Sequence, residues 1–211
     1  MSLGRLGAKQ VVGVDLSDVA IGKARQLAEQ TGLNNRVQFL CCDIYELDQH
    51  LPADDKFDFV FTSFGTTKWF PDLRKWSQLI RRYSKANGAF LIVDFHPILW
   101  TFDDKFEQIV QYSYFNQGPI VEYSKGTYAN RDATIEKKSI RWNHSLADIV
   151  TVLLDQHFTI ETFKEFDSLP MDAFVNMQQS PTDQQFRFKN YEGKIPLAYA
   201  LKAKNTGEDL H

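Results

Sequence analysis

The sequence predicts an α/β fold with a doubly wound, mostly parallel sheet, an antiparallel C-terminal strand and an inserted cap. Apolar runs of strand length alternate with helical patterns through the first half, as in parallel βα units with right-handed crossovers. An aromatic-rich stretch at residues 96–142 breaks this alternation, and we interpret it as the cap. The chain then closes with a helix, a strand, a long connection and a last strand. We expect a single domain over residues 1–211.

The first βα unit begins with a continuous apolar run, KQVVGVD at Lys9–Asp15. Such a run is typical of a strand that is buried on both faces. Ser17 is a suitable N-cap for the helix that follows, and Gly32 is a suitable C-terminal stop. The apolar face of this helix is predicted to consist of Val19, Ala20, Ala24, Leu27 and Ala28.

Three more strands are predicted before the cap, at Val37–Leu40, Phe57–Thr62 and Ala89–Phe95. Asp72 opens a helix between the last two strands, and Gly88 ends that helical unit. Apolar residues recur at helical spacing between these two positions, which predicts an amphipathic helix.

Within the cap, Ile120–Tyr123 and Thr134–Trp142 have strand character, and Asp103–Gln111 has the clearest helical pattern. Ser145 with Asp148 resembles a capping box, which predicts that a helix begins there. The predicted fold is completed by a strand at Phe158–Phe166, a polar, hairpin-like connection over residues 168–194 and a last strand at Ile195–Lys202.

Composition and charge argue against several classes of function. With 24 basic and 27 acidic residues and no stripe of Lys or Arg, the chain is not expected to bind nucleic acid. No apolar run is long enough for a membrane helix and no secretory signal precedes Gly4, so we expect a cytoplasmic protein without membrane association. The adjacent Cys41 and Cys42 cannot form a structural zinc site alone, and no metal is predicted.

Two acids follow successive predicted strands. Ligands of doubly wound sheets bind beyond the carboxyl ends of the strands, where Asp15 could accept hydrogen bonds from both hydroxyls of a ribose. Asp43 could accept from an exocyclic amine such as that of adenine, and the N–H of Ile44 could donate to a ring nitrogen. The alternatives are a helix cap at Asp15 and an Asx-turn at Asp43.

Small and polar residues follow the next strand. Thr62, Ser63 and Gly65 are expected at the same edge of the sheet, where Gly65 permits close backbone approach or a positive φ. A simple exit from strand to loop is the alternative.

Two histidines and two tryptophans are candidates for substrate contacts or catalysis. His96 and His144 could act as bases near neutral pH or hydrogen-bond a substrate, although histidines more often have structural roles. Trp69 and Trp100 could line a substrate pocket together with Gly65, or they could be packing residues only.

The ordered set of motifs resembles class I (Rossmann-like) S-adenosylmethionine-dependent methyltransferases. VVGVDLS resembles their motif II, FLCCDIYEL their motif III and FDFVFTSFG their motif IV, and NGAFLIVDFHP resembles the passage into their fifth strand. In that family the last strand inserts antiparallel next to the fifth strand. The resemblance extends from about Gly4 to Lys204.

The resemblance implies an enzyme that transfers a methyl group from S-adenosylmethionine by in-line displacement, which depends on orientation more than on a strong base. The aromatic cap indicates an uncharged or partly apolar acceptor, which we expect to be a small molecule, although such a cap could also serve only to exclude water. Nothing in the sequence indicates an oligomeric state. The implied cofactor contacts are Asp15 with the ribose, Leu16 and Ile44 with the adenine ring, Asp43 with the adenine amine, and Thr62 and Ser63 with the methionine part.

One feature of the family is absent from this sequence. The first strand and its glycine-rich loop should precede Gly4, and without that central strand backbone groups of the sheet would lack partners. We expect that the natural protein contains these residues, and that a chain beginning here would not bind the cofactor. Two other functions stay open: an NAD-dependent Rossmann oxidoreductase, which lacks support from a Tyr-x-x-x-Lys pair, and a non-catalytic Rossmann-like interaction protein.

Overall fold

The computed structural model describes residues 1–52, 54–103, 110–125, 134, 136–191 and 193–207. The chain divides into two compact units, Met1–Asp55 and Lys56–His211. In chain order the elements are α1 (Ser2–Arg5), β1 (Val11–Asp15), α2 (Asp18–Gln30), β2 (Val37–Cys41), β3 (Phe57–Thr62), α3 (Leu73–Tyr83), β4 (Ser84–Phe95), β5 (Ile120–Lys125), β6 (Glu136–Arg141), α4 (Leu146–Asp155), β7 (Phe158–Phe166), β8 (Met177–Gln179), β9 (Phe186–Phe188) and β10 (Ala198–Asn205), with 3-10 helices at Ile44–Gln49, Thr67–Trp69 and Pro97–Thr101.

The first unit is a two-stranded parallel sheet, β1 with β2, connected by α2. The predicted N-cap of α2 is confirmed, because the Ser17 hydroxyl accepts a hydrogen bond from the Ala20 N–H at 3.2 Å. The helix ends at Gln30, and Gly32 follows with a φ of +66°, a conformation in which a Cβ would be strained. Local sequence signals therefore fix both ends of this helix.

Burial in the first unit differs from the prediction. The apolar residues of β1 are only half-buried, since β1 pairs with β2 alone among the strands that the structure describes. The residues that α2 buries are Ile21 and Ala28, which are seven positions and thus two turns apart. The predicted face was too wide, because Val19 is 63% exposed, Leu27 is 46% exposed and Ala20 is exposed as well.

The second unit contains a four-stranded sheet with the order β3-β4-β10-β7. β3 and β4 are parallel, and β10 is antiparallel to both of its neighbours. The predicted class is thereby confirmed: parallel βα strands and a C-terminal strand that inserts antiparallel beside β4. The ladder of β10 begins later than predicted because Pro196 has no N–H to donate, so that Leu197 is the first residue to pair.

The start of β4 also differs from the prediction, since the strand begins at Ser84 rather than at Ala89. The register with β3 is irregular there, and Asn87 has a φ of 61°. A Cβ on Gly88 would lie 2.9 Å from the carbonyl oxygen of Lys85 and 3.2 Å from that of Phe57. Gly88 is thus required for close backbone approach inside the strand, not as the end of the preceding helix.

The main core of the second unit lies between the sheet and the two helices α3 and α4. Asp72 caps α3, and Ser145 and Asp148 form the predicted capping box of α4. Aromatic rings connect the layers, with ring centroids 5.8 Å apart for Trp76 and Phe90. Completely or almost completely buried side chains of this core include Trp76, Ile80, Phe90, Ile149, Leu153, Phe158, Tyr199 and Leu201.

The cap and the long connection each contain a two-stranded antiparallel hairpin, β5 with β6 and β8 with β9. The β8–β9 hairpin confirms the hairpin-like connection predicted before the last strand. The predicted helix Asp103–Gln111 lies mostly outside the described residues. The predicted strand Thr134–Trp142 is described except for residue 135, and it corresponds to β6. Within the described part of the chain, no helix is both long enough and apolar enough to cross a bilayer.

The core between α4 and the sheet yields a first prediction. Leu153→Ala should lower the free energy of unfolding by about 2–5 kcal/mol, because a fully buried leucine leaves a cavity when truncated. The neighbouring Leu154 is 51% exposed, so Leu154→Ala should change stability by less than about 0.5 kcal/mol. Urea unfolding of both variants checks the difference, and equal losses would contradict the described packing of α4.

The irregular start of β4 yields a second prediction. Gly88→Ala should destabilise the protein by about 1–3 kcal/mol, because the new methyl group would press on backbone carbonyls that cannot move aside. Gly22 lies exposed within α2 with nothing near its Cβ position, so Gly22→Ala should stabilise that helix by about 0.5–1 kcal/mol. Thermal unfolding followed by circular dichroism measures whether each substitution lowers or raises stability. An unchanged stability of Gly88→Ala would mean that the irregular start of β4 is not close-packed.

Candidate functional site

The two predicted acids of the first unit lie at one edge of its sheet. β1 and β2 run parallel with Asp15 opposite Cys41, and the Cys42 N–H donates to the Asp15 carbonyl oxygen at 3.2 Å. Asp43 follows directly, so the carboxyl ends of both strands contribute an exposed acid. We call Asp15 and Asp43 the acidic edge.

Each acid of the acidic edge uses one oxygen for its own turn. Oδ1 of Asp15 accepts from the Ser17 N–H at 2.8 Å, and Oδ1 of Asp43 accepts from the Tyr45 N–H at 2.9 Å. The second oxygen of each carboxylate accepts no hydrogen bond from the residues that the structure describes. Asp43 thus forms the Asx-turn considered for it, whereas the helix cap considered for Asp15 is provided by Ser17 instead. Each acid still has an acceptor that a ligand could use.

Apolar side chains adjoin the acidic edge. Leu16 is 72% exposed directly after Asp15, and the Cys41 thiol lies 3.6 Å from the Leu16 carbonyl oxygen. Ile44 is half-buried at the first position of the 3-10 helix that Asp43 caps, where a backbone N–H has no partner within the helix. Carboxylate acceptors beside an apolar surface are the groups that a nucleoside requires.

The predicted residues after β3 belong to the second unit. Thr62 is half-buried and Ser63 is exposed at the carboxyl end of the strand. The chain then turns at Gly65, whose φ of +77° explains the glycine. We call residues 63–70 the β3–α3 loop.

A buried carboxylate that was not among the predicted site residues holds the β3–α3 loop. Asp94, at the end of β4, is 1% exposed and accepts four hydrogen bonds. Oδ1 accepts from the Gly65 N–H at 2.5 Å and from the Phe95 N–H at 2.7 Å. Oδ2 accepts from Thr67, at 3.1 Å from its N–H and 2.8 Å from its hydroxyl. Burial raises the pKa of Asp94, although the hydrogen bonds from Thr67, Gly65 and Phe95 oppose the rise.

The structure brings the three predicted substrate residues into one region of the second unit. Lys68 lies between two tryptophans, with Nζ 4.8 Å from the ring centroid of Trp69 and 4.0 Å from that of Trp100. Trp100 also contacts Phe95 edge to face at 5.8 Å, and a Cβ on Gly65 would lie 3.5 Å from the Phe95 ring. Since Trp69 is 47% exposed, an aromatic face with an adjacent cation is open to solvent here.

An ion pair of the cap holds the Trp100 segment. Arg141 donates to both oxygens of Glu122 at 2.9 Å, and it donates to Asn143 at 2.7 Å. Asn143 in turn donates to the Trp100 carbonyl oxygen at 3.2 Å. Burial disfavours the Glu122 carboxylate, but hydrogen bonding and charge from Arg141, together with the charge of Lys68, lower its pKa overall.

Both predicted catalytic histidines are buried, and each of their ring nitrogens lies within 3.4 Å of a polar atom of the chain. Nδ1 of His96 accepts from the Ile98 N–H at 3.1 Å, so the ring proton of the neutral form is on Nε2, which lies 2.9 Å from Glu165. His144 Nε2 lies 2.7 Å from the Phe70 carbonyl oxygen, and Asn116 approaches its Nδ1 at 3.4 Å. Burial lowers the pKa of both histidines, against an opposing effect of Glu165 on His96. The described geometry is structural, and a catalytic role of either residue stays a prediction.

Comparison with known proteins identifies relatives of the fold. A family model described as "Methyltransferase domain" matches residues 3–148. An S-adenosylmethionine-dependent methyltransferase from Mesorhizobium loti has a TM-score of 0.60 at 18% identity, covering 95% of this chain and 82% of that chain. A geranyl diphosphate C-methyltransferase from Streptomyces coelicolor, solved with Mg²⁺, geranyl diphosphate and S-adenosylhomocysteine, has a TM-score of 0.58 at 15% identity, covering 97% and 66%.

The similarity to solved structures establishes the fold but not the reaction. The [4+2]-cyclase SpnF also has a TM-score of 0.58, at 14% identity, covering 98% of this chain and 71% of that chain. No curated protein matches the chain. The family model covers more than half of the sequence and includes both acids of the acidic edge, the β3–α3 loop and Asp94. The chain therefore belongs to the methyltransferase domain family, which confirms the family and the enzyme class predicted from its motifs.

Proposed function

We propose that the protein transfers a methyl group from S-adenosylmethionine to a small-molecule acceptor. The observation that carries the proposal is the acidic edge: in a member of the methyltransferase domain family, two exposed acids at successive strand ends each retain an unused oxygen. The donor set fits the adenosine part of the cofactor, which presents two ribose hydroxyls and an exocyclic amine as donors.

In this proposal, each residue of the acidic edge and its neighbours in the first unit binds a different part of the cofactor. Asp15 would accept the ribose hydroxyls, and the exposed Leu16 would cover one side of the adenine ring. Asp43 would accept the adenine amine, and the N–H of Ile44 would donate to a ring nitrogen. For Thr62 and Ser63, which belong to the second unit, contact with the methionine part stays a prediction from the family resemblance.

When bound, the cofactor supplies an electrophilic methyl group on a sulfonium. Displacement at that methyl depends on in-line approach, so the task of the chain is to orient the acceptor and to exclude water. In the second unit, the aromatic face formed by Trp69 and Trp100 beside Gly65 suits that task. Because His96 and His144 are buried and each ring nitrogen lies within 3.4 Å of a polar atom of the chain, we assign the reaction to orientation rather than to a histidine base.

Support for a small-molecule acceptor comes from the residues of the second unit and from a structural neighbour. The exposed ring of Trp69 offers a flat apolar surface, and Lys68 provides a charge at its side. The Streptomyces coelicolor neighbour was solved with geranyl diphosphate, a small molecule with an apolar chain and an anionic group. The formal net charge of −3 gives no support to a nucleic-acid acceptor.

The proposal is tested by ligand binding to the full-length protein. S-adenosylhomocysteine should raise the melting temperature, because a ligand that binds only the folded state stabilises that state. NAD serves as the comparison ligand, since an oxidoreductase could also use Asp15 for a ribose. Stabilisation by NAD alone would contradict the proposed methyl transfer and favour an NAD-dependent oxidoreductase. Stabilisation by neither ligand would favour a non-catalytic interaction protein.

Asp15 provides a sharper prediction. Asp15→Ala should raise the dissociation constant of S-adenosylhomocysteine at least about tenfold, because a lost hydrogen bond to a charged group costs about 1.5–3 kcal/mol. Isothermal titration calorimetry measures the change. Asp18→Ala removes another exposed acid three positions away, whose Oδ1 accepts from the Val19 N–H at 2.7 Å, and should leave the constant within about twofold. Equal effects of both substitutions would remove Asp15 from the site.

The lowered pKa values of the two buried histidines lead to a prediction of how the stability of the protein depends on pH. Their pKa values are lowered on folding, so the unfolded chain binds protons more readily than the folded protein as pH falls below the ordinary value of about 6.5. Their contribution to stability is therefore complete above that value and is lost as pH falls through the folded pKa values. Urea unfolding measures how much the free energy of unfolding falls between about pH 7.5 and about pH 5.5. This fall should be smaller in His144→Gln than in His50→Gln, the control variant at an exposed histidine. Identical losses in the two variants would contradict the burial of a neutral His144.

A further inference from the structure

We infer that Asp94 is a positioning residue for methyl transfer: it fixes the β3–α3 loop and thereby the surface that receives the acceptor. The role in the reaction rests on the proposed function, whereas the effect on the loop can be measured without it. Asp94 itself is buried and does not reach the acceptor, so its action is through the loop.

Three of the four hydrogen bonds of Asp94 hold the β3–α3 loop against the end of β4. Its four donors come from Gly65, Thr67 and Phe95, and two of those residues lie in the loop at a distance of 27 and 29 positions in sequence. A carboxylate that is removed from water is costly unless several donors compensate for it. Here the compensation comes from backbone N–H groups of the loop, so the carboxylate and the loop conformation depend on each other.

The same loop carries the aromatic and cationic groups of the candidate acceptor surface. Lys68 and Trp69 follow Thr67 directly, and the Lys68 carbonyl oxygen accepts from the Trp142 N–H at 2.9 Å. The loop is thus held by Asp94 on one side and by the Trp100 and Trp142 segments on the other. Loss of the Asp94 contacts should release the side of the loop that Asp94 holds, while the contacts of Lys68 with Trp100 and Trp142 stay in place.

A matched control lies at the opposite end of the same pair of strands. Asn205 is also completely buried, and it donates to the carbonyl oxygens of Ser84 and Lys85 at 3.3 and 3.0 Å and accepts from the Gly207 N–H at 3.1 Å. Its contacts are at the start of β4, away from the β3–α3 loop. A variant of Asn205 therefore reports the loss of a buried polar side chain without release of the loop.

The first experiment measures the loop itself by hydrogen exchange and mass spectrometry. Asp94→Asn, which cannot accept at both positions, should speed exchange in peptides covering residues 63–70 by at least about tenfold relative to the wild type. Thr67→Val should have a smaller effect in the same direction, and Thr67→Ser, which keeps the hydroxyl, should restore slow exchange. Asn205→Ala should leave this segment unchanged. Equal exchange of the loop in Asp94→Asn and Asn205→Ala would overturn the inference.

The second experiment connects the loop to the reaction. Acceptors are found by screening small molecules for release of S-adenosylhomocysteine by the full-length wild type. With an acceptor found in this way, Asp94→Asn should lower kcat/KM at least about tenfold while the dissociation constant of S-adenosylhomocysteine stays within about threefold. At a temperature where both variants are equally folded, equal activity of Asp94→Asn and Asn205→Ala would overturn the positioning role. Absence of S-adenosylhomocysteine binding in the wild type would instead overturn the proposed function, and the exchange result would still decide whether Asp94 holds the loop.

Discussion

The second unit depends on the hydrogen-bonded ladder of β10. This strand lies between β4 and β7 and pairs with both, so it satisfies the backbone groups of two strands that come much earlier in the chain. Its side chains Tyr199, Leu201 and Ala203 are completely buried. The position of β4 is set by this ladder on one side and by β3 on the other, and the end of β4 is where Asp94 and His96 lie.

Buried charged side chains near the end of β4 and in the cap hold the segments that form the candidate acceptor surface. Asp94 binds the β3–α3 loop, and within the cap Arg141 pairs with Glu122 and also donates to the Trp100 carbonyl oxygen. Buried ions of this kind add little net stability compared with apolar side chains of similar size, but removal of one partner is costly. Their contribution is therefore geometric: they restrict loops that have few apolar contacts of their own.

Much of the fold could be predicted because its signals are local. The strands Phe57–Thr62 and Phe158–Phe166 have the predicted bounds, and the caps at Ser17 and Ser145 follow from side-chain chemistry within four residues. The exposure of Val19 could not be predicted in this way, because helical periodicity shows that a face is apolar but not how much of it a neighbouring element covers. For the site, acids at strand ends were visible in the sequence. The role of Asp94 was not, since its partners in the loop are almost thirty residues away and only the folded chain brings them together.

The central place of the last strand has a consequence for the way the protein acquires its structure. β4 and β10 are neighbours in the sheet, yet more than a hundred residues separate them in the chain. During synthesis, β4 and β7 must wait with unpaired inner edges until β10 has left the ribosome, and pairing of β4 with β10 over such a distance is slow because a long loop must close first. Exposed strand edges in a waiting intermediate favour association with other chains. The yield of native protein should therefore be most sensitive to changes in β10, far in sequence from every residue assigned to cofactor or acceptor.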